Sequence, residues 1–421
     1  MPTVATMITR MIILCVFLVL IDSYVWQSFK TAFVRYDSVK QLFMWLYWVC
    51  SIAIILMIIY AMLNFDRSGR PNPTMTYAFG FLILITVPKI IVAFGLLLED
   101  FTRLTTWLFL IVKKNMDSSP NIISVGRKEF ISQVLLGIAA VPFLGILHGM
   151  FIGKYRYKVH KVNLTFKDLP AAFHGFKITQ LSDIHSGSFD DKNRVEKGIA
   201  LANAQQSDVL LFTGDLVNNR YEEMDPWIDS FKKLSAPMGK FSTLGNHDYG
   251  DYVLWNNGEE KRKNLQRVKD IHPKIGFELL NNQLVKLTKG TDSINLIGIE
   301  NWGLPPFPQH GRLDIATKDV APTDFNILMS HDPSHWDAEA KDFKTHIHLA
   351  LAGHTHGMQF GIEIPGFKWS PVKFKYPKWA GLYQHQSNEK YLYVNRGFGF
   401  LGFPGRVGIW PEITVITLNR A

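Results

Sequence analysis

The sequence predicts an α/β domain preceded by an α-helical transmembrane bundle, and three features of its 421 residues carry that prediction. Long apolar runs with almost no charge fill the first third. Short apolar strands that end in polar, glycine-flanked residues recur through the remainder. A stretch of helical period separates the first two of those strands.

Runs at 11–29, 42–63, 77–98 and 130–152 are long enough to cross a bilayer as helices, because about 20 residues rising ~1.5 Å each span the hydrocarbon. Several such runs exclude a single cleaved signal peptide, so the protein is integral to a membrane. A further run at 104–112, with Leu104, Trp107, Leu108, Phe109 and Leu110, is too short to span and is expected in the interface. Within the spans, Asp22 and Lys89, the latter beside the kinking Pro88, either pair across the bundle, line a polar path or snorkel. Polar residues there are too sparse for a transporter. Cys15 and Cys50 both fall inside spans, which leaves no disulfide framework.

The formal net charge of +9 is shared: 12 basic and 7 acidic residues precede Gly153, and 33 basic and 29 acidic follow. Without a concentrated basic face, nucleic acid is not an expected partner. Lys154, Arg156, Lys158 and Lys161 suit either an anionic lipid surface, making membrane lipids expected partners, or a solvated flank. Lys30, Arg35, Lys40, Arg103, Lys113, Lys114, Arg127 and Lys128 fall between spans on one side, and Arg10, Arg67 and Arg70 on the other. The richer side is expected in the cytoplasm. Four spans then place the C-terminal part outside it, in an expected bacterial plasma membrane. Arg127 and Lys128 ahead of Phe130 also resemble a twin-arginine export signal with lysine in the second place.

The composition changes near Gly153, giving an expected division into 1–152 and 153–421. Strands are read in FKITQLSDIH, SDVLLFTGDLV, GKFSTLGNHD, TDFNILMSHDP and THIHLALAGHTHG. Strands apolar on both faces suit the core of a layered domain, and the polar residues that follow them collect at one edge of the sheet. The helix between the first two strands is read at 191–206, through Val195, Ile199, Leu201 and Ala202. Residues 249–275 read as a helical insertion, either a cap over the site or a solvated helix.

Chemistry-bearing side chains sit at these strand ends. Asp183 and His185, one residue apart, leave the same face of an extended segment and can clasp one ion. Asp215 has two oxygens that can bridge two metals. Asn246, His247 and Asp248 follow the third strand, His331 the fourth, and His354 and His356 the fifth. Carboxylate, amide and imidazole donors without thiolate suit two divalent metal ions such as Mn²⁺, Zn²⁺ or Fe²⁺. Gly214, Gly245 and Gly353 permit sharp turns beside them.

The series SDIH, GDLV, GNHD, SHDP and GHTH resembles the calcineurin-like metallophosphoesterase family over roughly 170–421. The resemblance implies a four-layer α/β/β/α metallophosphoesterase sandwich, two sheets with helices on both outer faces. It implies one metal on Asp183, His185, Asp215 and His356, and another on Asp215, Asn246, His331 and His354. His247 would assist the leaving group, and Asp248 would orient His247. Membrane-tethered members resemble phosphodiesterases and lipid-precursor hydrolases, including the UDP-diacylglucosamine hydrolase type.

Such a site makes chemical sense independently of the resemblance. Two divalent cations against two aspartates leave it cationic, attractive to phosphate and able to acidify an attacking water. His247 either offers a proton to the departing alkoxide or only packs beside a ligand. His272, His310, His335, His346 and His348 are expected to be structural or on the surface; His346 and His348 alternate along a strand, and His310 and His335 stand nearest to an exception.

Two aromatic segments bear on substrate. Residues 395–411 carry Phe398, Phe400, Leu401, Phe403 and Trp410, and 361–383 carry Phe367, Trp369, Phe374, Tyr376 and Trp379. They either cover acyl chains or dip into a bilayer, with Arg396, Arg406, Lys373 and Lys375 meeting headgroup phosphate, or they form a satellite core. The expected function is hydrolysis of a phosphodiester or pyrophosphate on a phosphorylated lipid or lipid-linked substrate. A phosphoesterase for soluble small-molecule substrates and a non-catalytic membrane scaffold are the alternatives.

Overall fold

The computed structural model describes residues 4–34, 37–64, 72–114, 125–385 and 390–421. Of the charges used above for orientation, Arg35, Arg67 and Arg70 lie outside the described residues. The chain forms two compact units, one of helices up to His148 and one consisting chiefly of Gly149–Ala421.

Four helices make the first unit: α1 (Val4–Ala32), α2 (Asp37–Leu63), α3 (Pro73–Lys114) and α4 (Val125–Phe151). Each contains a stretch long and apolar enough to cross a membrane. The run at 104–112 is no separate piece; it continues α3, since Glu99–Arg103 holds neither glycine nor proline to stop the helix. Pro88 is accommodated inside the same helix. Val25, Val92, Ala93, Leu96 and Ala139 form the small core.

Asp22 and Lys89 take the pairing option, as a buried ion pair. Asp22 Oδ1 also accepts from the Tyr47 hydroxyl at 2.9 Å and from Ser51 Oγ at 3.2 Å, while Lys89 Nζ donates to Ser51 Oγ at 2.9 Å. Mutual satisfaction is the least costly state for two charges in a hydrocarbon-facing bundle.

The second unit begins with β1 (Lys158–Phe166), β2 (Phe176–Leu181), α5 (Lys192–Asn203), β3 (Val209–Phe212), α6 (Ile228–Phe231), β4 (Lys240–Ser242), α7 (Gly258–Lys274) and β5 (Glu278–Leu279). There follow β6 (Gln283–Lys289), β7 (Asp292–Gly298), α8 (Leu313–Ala316), β8 (Asn326–Met329), α9 (Ser334–Ala338) and β9 (Leu349–Ala352). A hairpin of β10 (Ile362–Ile364) and β11 (Phe367–Trp369), then β12 (Gly381–Gln384), β13 (Tyr391–Val394) and β14 (Glu412–Arg420), completes it.

Two six-stranded sheets result, ordered β1-β14-β2-β3-β4-β5 and β12-β13-β9-β8-β7-β6. Phe176, Ile178, Val209 and Leu211 of the first sheet meet Leu296, Ile327, Met329 and Leu351 of the second in a shared inner core. Outside the first sheet, Val195, Ile199 and Ala202, spaced as one face of α5, pack with Val268 and Ile271 of α7. Outside the second, Leu313, Ala316 and Trp336 of α8 and α9 cover Leu328 and Ala350. This is the expected four-layer α/β/β/α order. Asp191 caps α5 by accepting from Arg194 N at 3.0 Å, and Asn257 caps α7 by accepting from Glu260 N at 2.9 Å.

β2, β3 and β4 run parallel, as do β7, β8, β9 and β13. Within each parallel set the loops after the strands therefore emerge at a common edge, and those after β2, β3, β4, β8 and β9 carry the candidate residues. The strand at 346–349 begins later than the alternation suggests, at Leu349. His348 is buried instead, 2.6 Å from Asp168 Oδ2 and accepting from Asn326 N at 3.0 Å, because Asp168 reaches it from outside the strand.

The two aromatic segments differ in most of their rings, although Trp379 of the first is buried. Phe398 and Phe400 are core residues packed with Val195, Ile199 and Phe231, whereas Phe367 and Phe374 are exposed. Arg396 and Arg406 are buried and face protein groups, so neither is placed to meet a headgroup.

Candidate metal centre

The loops after the strands are sharply bent. Asp183 (φ 51°), His185 (φ 48°), Asp215 (φ 62°), His354 (φ 70°) and His356 (φ 50°) all have left-handed backbone. Asp183 and His185 thus do not leave one face of an extended segment; β2 has ended at Leu181. A non-glycine residue there costs on the order of 1–3 kcal/mol and persists only where its surroundings over-determine it.

The surroundings do. Asp183 N donates to Gly214 O at 2.9 Å and His185 N to Asp215 O at 3.1 Å, tying the first two loops together. Phe398 N and Gly399 N donate to Ser182 O and Asp183 O at 2.7 and 2.8 Å, so residues 395–400 run along the first loop as a backbone support. Close approach, more than turning, explains two glycines: a Cβ on Gly353 would lie 1.9 Å from Ser182 Oγ, and one on Gly399 1.9 Å from Ile184 O.

The expected side chains converge in two groups, Asp183 with His185 and His356, and Asp215 with His331 and His354, each with donor atoms within 4.8 Å of one another. Asn246 joins the second, its Oδ1 2.8 Å from His354 Nδ1. Asp215 Oδ2 lies 3.5 Å from His185 Nε2 and 3.1 Å from His331 Nε2, between the two groups.

The donors fit divalent cations. The Nε2 atoms of His185, His331 and His356 are buried without a hydrogen-bond partner. His331 Nδ1 lies 2.7 Å from Thr213 O, which can only accept, so Nδ1 carries a proton and Nε2 is the atom turned towards Asp215. An imidazole nitrogen set against a carboxylate calls for positive charge between them, a proton or a metal ion.

Electrostatics agree with that demand. Burial would raise the Asp183 and Asp215 carboxyls, but the imidazoles around them hold both below the usual carboxylate range. Burial opposes protonation of His331, yet Asp215 and Asp183 raise it to about 10. Burial pushes His185, His247 and His354 down. Ligand imidazoles must be neutral, so metal competes with the proton on His331.

His247 stacks edge to face on His185 with centroids 5.0 Å apart. Its Nδ1 lies 2.8 Å from Asn218 O, and its N donates to Asp215 Oδ1 at 2.8 Å. Asp248, expected to orient His247, makes its hydrogen bonds elsewhere. Its carboxylate accepts instead from Asp215 N, Leu216 N, Val217 N and Gly245 N at 2.8–3.3 Å, bracing the second and third loops, because buried backbone N–H groups at these turns have no strand partner. The orienting acceptor is the Asn218 carbonyl.

Sequence reasoning missed that carbonyl, and backbone acceptors leave no signal in residue type. It also gave no site role to Tyr252, whose hydroxyl accepts from Asn246 Nδ2 at 2.7 Å, or to Asp332, 3.5 Å from His354 Nε2. Tyr376 Oη lies 2.8 Å from His354 Nε2, and Arg406 Nη2 lies 3.1 Å from His356 Nδ1. Asp332, inside SHDP, was the legible one. His310 stacks on Tyr249 and His335 bonds Ser330 Oγ and Glu339, so both remain outside the two groups.

A family model described as calcineurin-like phosphoesterase matches residues 176–358, and one described as probable calcineurin-like phosphoesterase, transmembrane domain, matches 9–154. Over 305 residues the chain is 32% identical to the uncharacterized metallophosphoesterase YkuE of Bacillus subtilis, covering 70% of this chain and 98% of that one. The chain belongs to the calcineurin-like phosphoesterase family. This phosphoesterase is also 27% identical over 319 residues to the UDP-2,3-diacylglucosamine pyrophosphatase LpxG of Chlamydia trachomatis, covering 66% of this chain and 93% of that one. A Danio rerio transmembrane protein with metallophosphoesterase domain is 26% identical over 298 residues, 69% of this chain and 63% of that one. As a calcineurin-like phosphoesterase with a transmembrane domain, the protein is a membrane hydrolase of phosphate esters from a family that uses a dimetal centre.

Proposed function

We propose that this phosphoesterase hydrolyses a phosphodiester or pyrophosphate linkage in a lipid-linked substrate at the membrane surface. The observation that carries the reading is the convergence of two donor groups around Asp215, with buried imidazole nitrogens that have no other partner. Residues 1–152 act as the anchor and 153–421 as the hydrolase. The relative named for a diacylglucosamine nucleotide supports a lipid-linked substrate. The distribution of basic residues between spans supports a hydrolase outside the cytoplasm, and the proposal takes the membrane to be a bacterial plasma membrane.

Asp183, His185, Asp215 and His356 would hold one ion, and Asp215, Asn246, His331 and His354 the other, with Mn²⁺, Fe²⁺ or Zn²⁺ suited to such oxygen and nitrogen donors. When bound, the ions supply positive charge to the transferring phosphoryl group and acidify the attacking water. The rest is the work of the chain's own residues. Asn218 O accepts from His247 Nδ1, which leaves Nε2 towards the site; in the cationic form of the ring, which Asp215 and the Asn218 carbonyl favour against burial, Nε2 would pass its proton to the leaving oxygen. Asp248 keeps Asp215 in its left-handed turn, and Thr213 O fixes His331 so that Nε2 faces inward.

The test is to strip the full-length protein with a chelator and reload it with Mn²⁺, Zn²⁺ or Fe²⁺. Hydrolysis of an aryl phosphodiester should return on reloading and be absent in Asp215→Asn. Turnover indifferent to both treatments would defeat the proposal. Equal efficiency on lipid phosphoesters and soluble ones would remove the lipid part of it.

A further inference from the structure

Beside the metal centre, the β10–β11 hairpin and the turn after it present an apolar surface. Met358, two residues beyond His356, is 59% exposed, Ile362, Ile364 and Phe367 lie between 50% and 58%, and Phe374 reaches 79%. Exposed rings and branched side chains gathered this way are unusual on a surface that faces only water. The segment is built to hold them there. Trp379, Ala380 and Ile409, with Val372 and Tyr376, form a small core of their own. Ser370 Oγ donates to Gly357 O at 2.7 Å, and Arg396 Nε donates to Glu363 Oε2 at 2.9 Å.

Charge says what the surface meets. Phe374 stands between the exposed Lys373 and Lys375. Glu363, the one carboxylate of the hairpin, is paired with Arg396, which it shares with buried Glu412. Apolar side chains fringed by lysines suit the interface of an anionic bilayer, where the rings enter the acyl boundary and the ammonium groups meet lipid phosphate. The same turn reaches the metal centre, through Tyr376 Oη at 2.8 Å from His354 Nε2. Lys375 Nζ lies 5.2 Å from the Phe307 ring, which stands 5.1 Å from that of His354.

We propose that the surface formed by Met358, Ile362, Ile364, Phe367 and Phe374 docks on an anionic lipid bilayer and delivers a lipid phosphoester to the metal centre. Docking rests on the exposed side chains and the charges around them; delivery rests on the function proposed above. The four membrane-crossing helices keep the chain at a bilayer, so docking needs no recruitment from solution.

The experiment uses the full chain with Cys15 and Cys50 replaced by serine, in nanodiscs of phosphatidylcholine with or without phosphatidylglycerol. An environment-sensitive fluorophore is placed at Ile364→Cys, or at Lys318→Cys before β8, the end of that strand remote from His331. The Ile364 label should shift to the blue and be quenched by doxyl-lipids, more strongly with phosphatidylglycerol, while the Lys318 label stays in water. An Ile364 label in water in both lipid mixtures overturns the proposal, as does a shift that follows protein copy number instead of lipid, which would mean a second copy.

Two variants read out delivery. Ile364→Asp with Phe367→Asp, and separately Lys373→Glu, should each lower hydrolysis of a long-chain lipid phosphoester in vesicles about tenfold. Neither should change hydrolysis of a soluble aryl phosphodiester. Undiminished lipid turnover in both variants overturns delivery. A wild-type protein inactive on both substrates after metal reloading would defeat the proposed function and leave the label result standing.

Discussion

Segments 361–374 and 395–410 look alike as sequence, both rich in aromatic residues, glycine and proline, and both carrying basic residues. In the fold they are opposites. The second lies against the loop of Asp183 and His185, with Phe398 and Phe400 in the core and Arg406 fully buried against the carbonyls of Gly397 and Gly399. The first keeps Phe367 and Phe374 outside, with Trp369 half-buried and only Trp379, beyond it, in a core. Arg396 joins the two segments, bonding buried Glu412 through Nη1 at 2.5 Å and half-buried Glu363 through Nε at 2.9 Å. The difference teaches that an aromatic loop is sorted by whether its backbone is needed as a partner. Residues 395–400 supply N–H groups to Ser182 and Asp183, and the side chains between are drawn inward with them.

Gly399→Ala should break the comparison most severely. The added methyl would meet Ile184 O, so the loop of Asp183 and His185 must move. A displacement near 1 Å costs about 100-fold in turnover, measured on an aryl phosphodiester after metal reloading. Phe398→Ala empties a core position and should cost about 3–5 kcal/mol in denaturant unfolding.

Glu412→Gln leaves the buried Arg396 guanidinium with half-buried Glu363 as its remaining carboxylate partner, at about 1–3 kcal/mol. It also sets a pH dependence. Burial would raise the Glu412 carboxyl, but Arg396 lowers it to about 2. Its contribution is therefore complete above the ordinary carboxyl range and lost as pH falls through that range towards 2, and acid unfolding of Glu412→Gln should be correspondingly shallower. On the hairpin side of the same arginine, Glu363→Gln should cost only about 1 kcal/mol, since Glu363 is partly solvated. Phe374→Ala, at the exposed extreme, should alter unfolding by no more than about 0.5 kcal/mol.

Much of this arrangement was legible. Apolar runs ending in SDIH, TGDLV, GNHD, SHDP and AGHTHG became β2, β3, β4, β8 and β9, because strands apolar on both faces can only be interior and their polar successors must lie at an edge. The period through Val195, Ile199 and Ala202 gave α5 for the same reason. What stayed hidden depends on partners distant in the chain. Asn218 acts through a carbonyl, Asp248 serves backbone N–H groups instead of its neighbour His247, and the left-handed turns at Asp183 and His185 exist only because the loops of Gly214, Asp215 and Gly399 hold them. Local propensity cannot report a strained turn that remote contacts stabilise.

The account stands on Asp215 joining two donor groups into one dimetal site. Elemental analysis of the full-length protein, purified under metal-replete conditions and freed of loose ions by gel filtration, tests this most directly. Close to two transition-metal ions per chain are expected for the wild type, with a clear loss in Asp215→Asn. A wild-type chain that retains none, or an Asp215→Asn chain that retains the full complement, would contradict it.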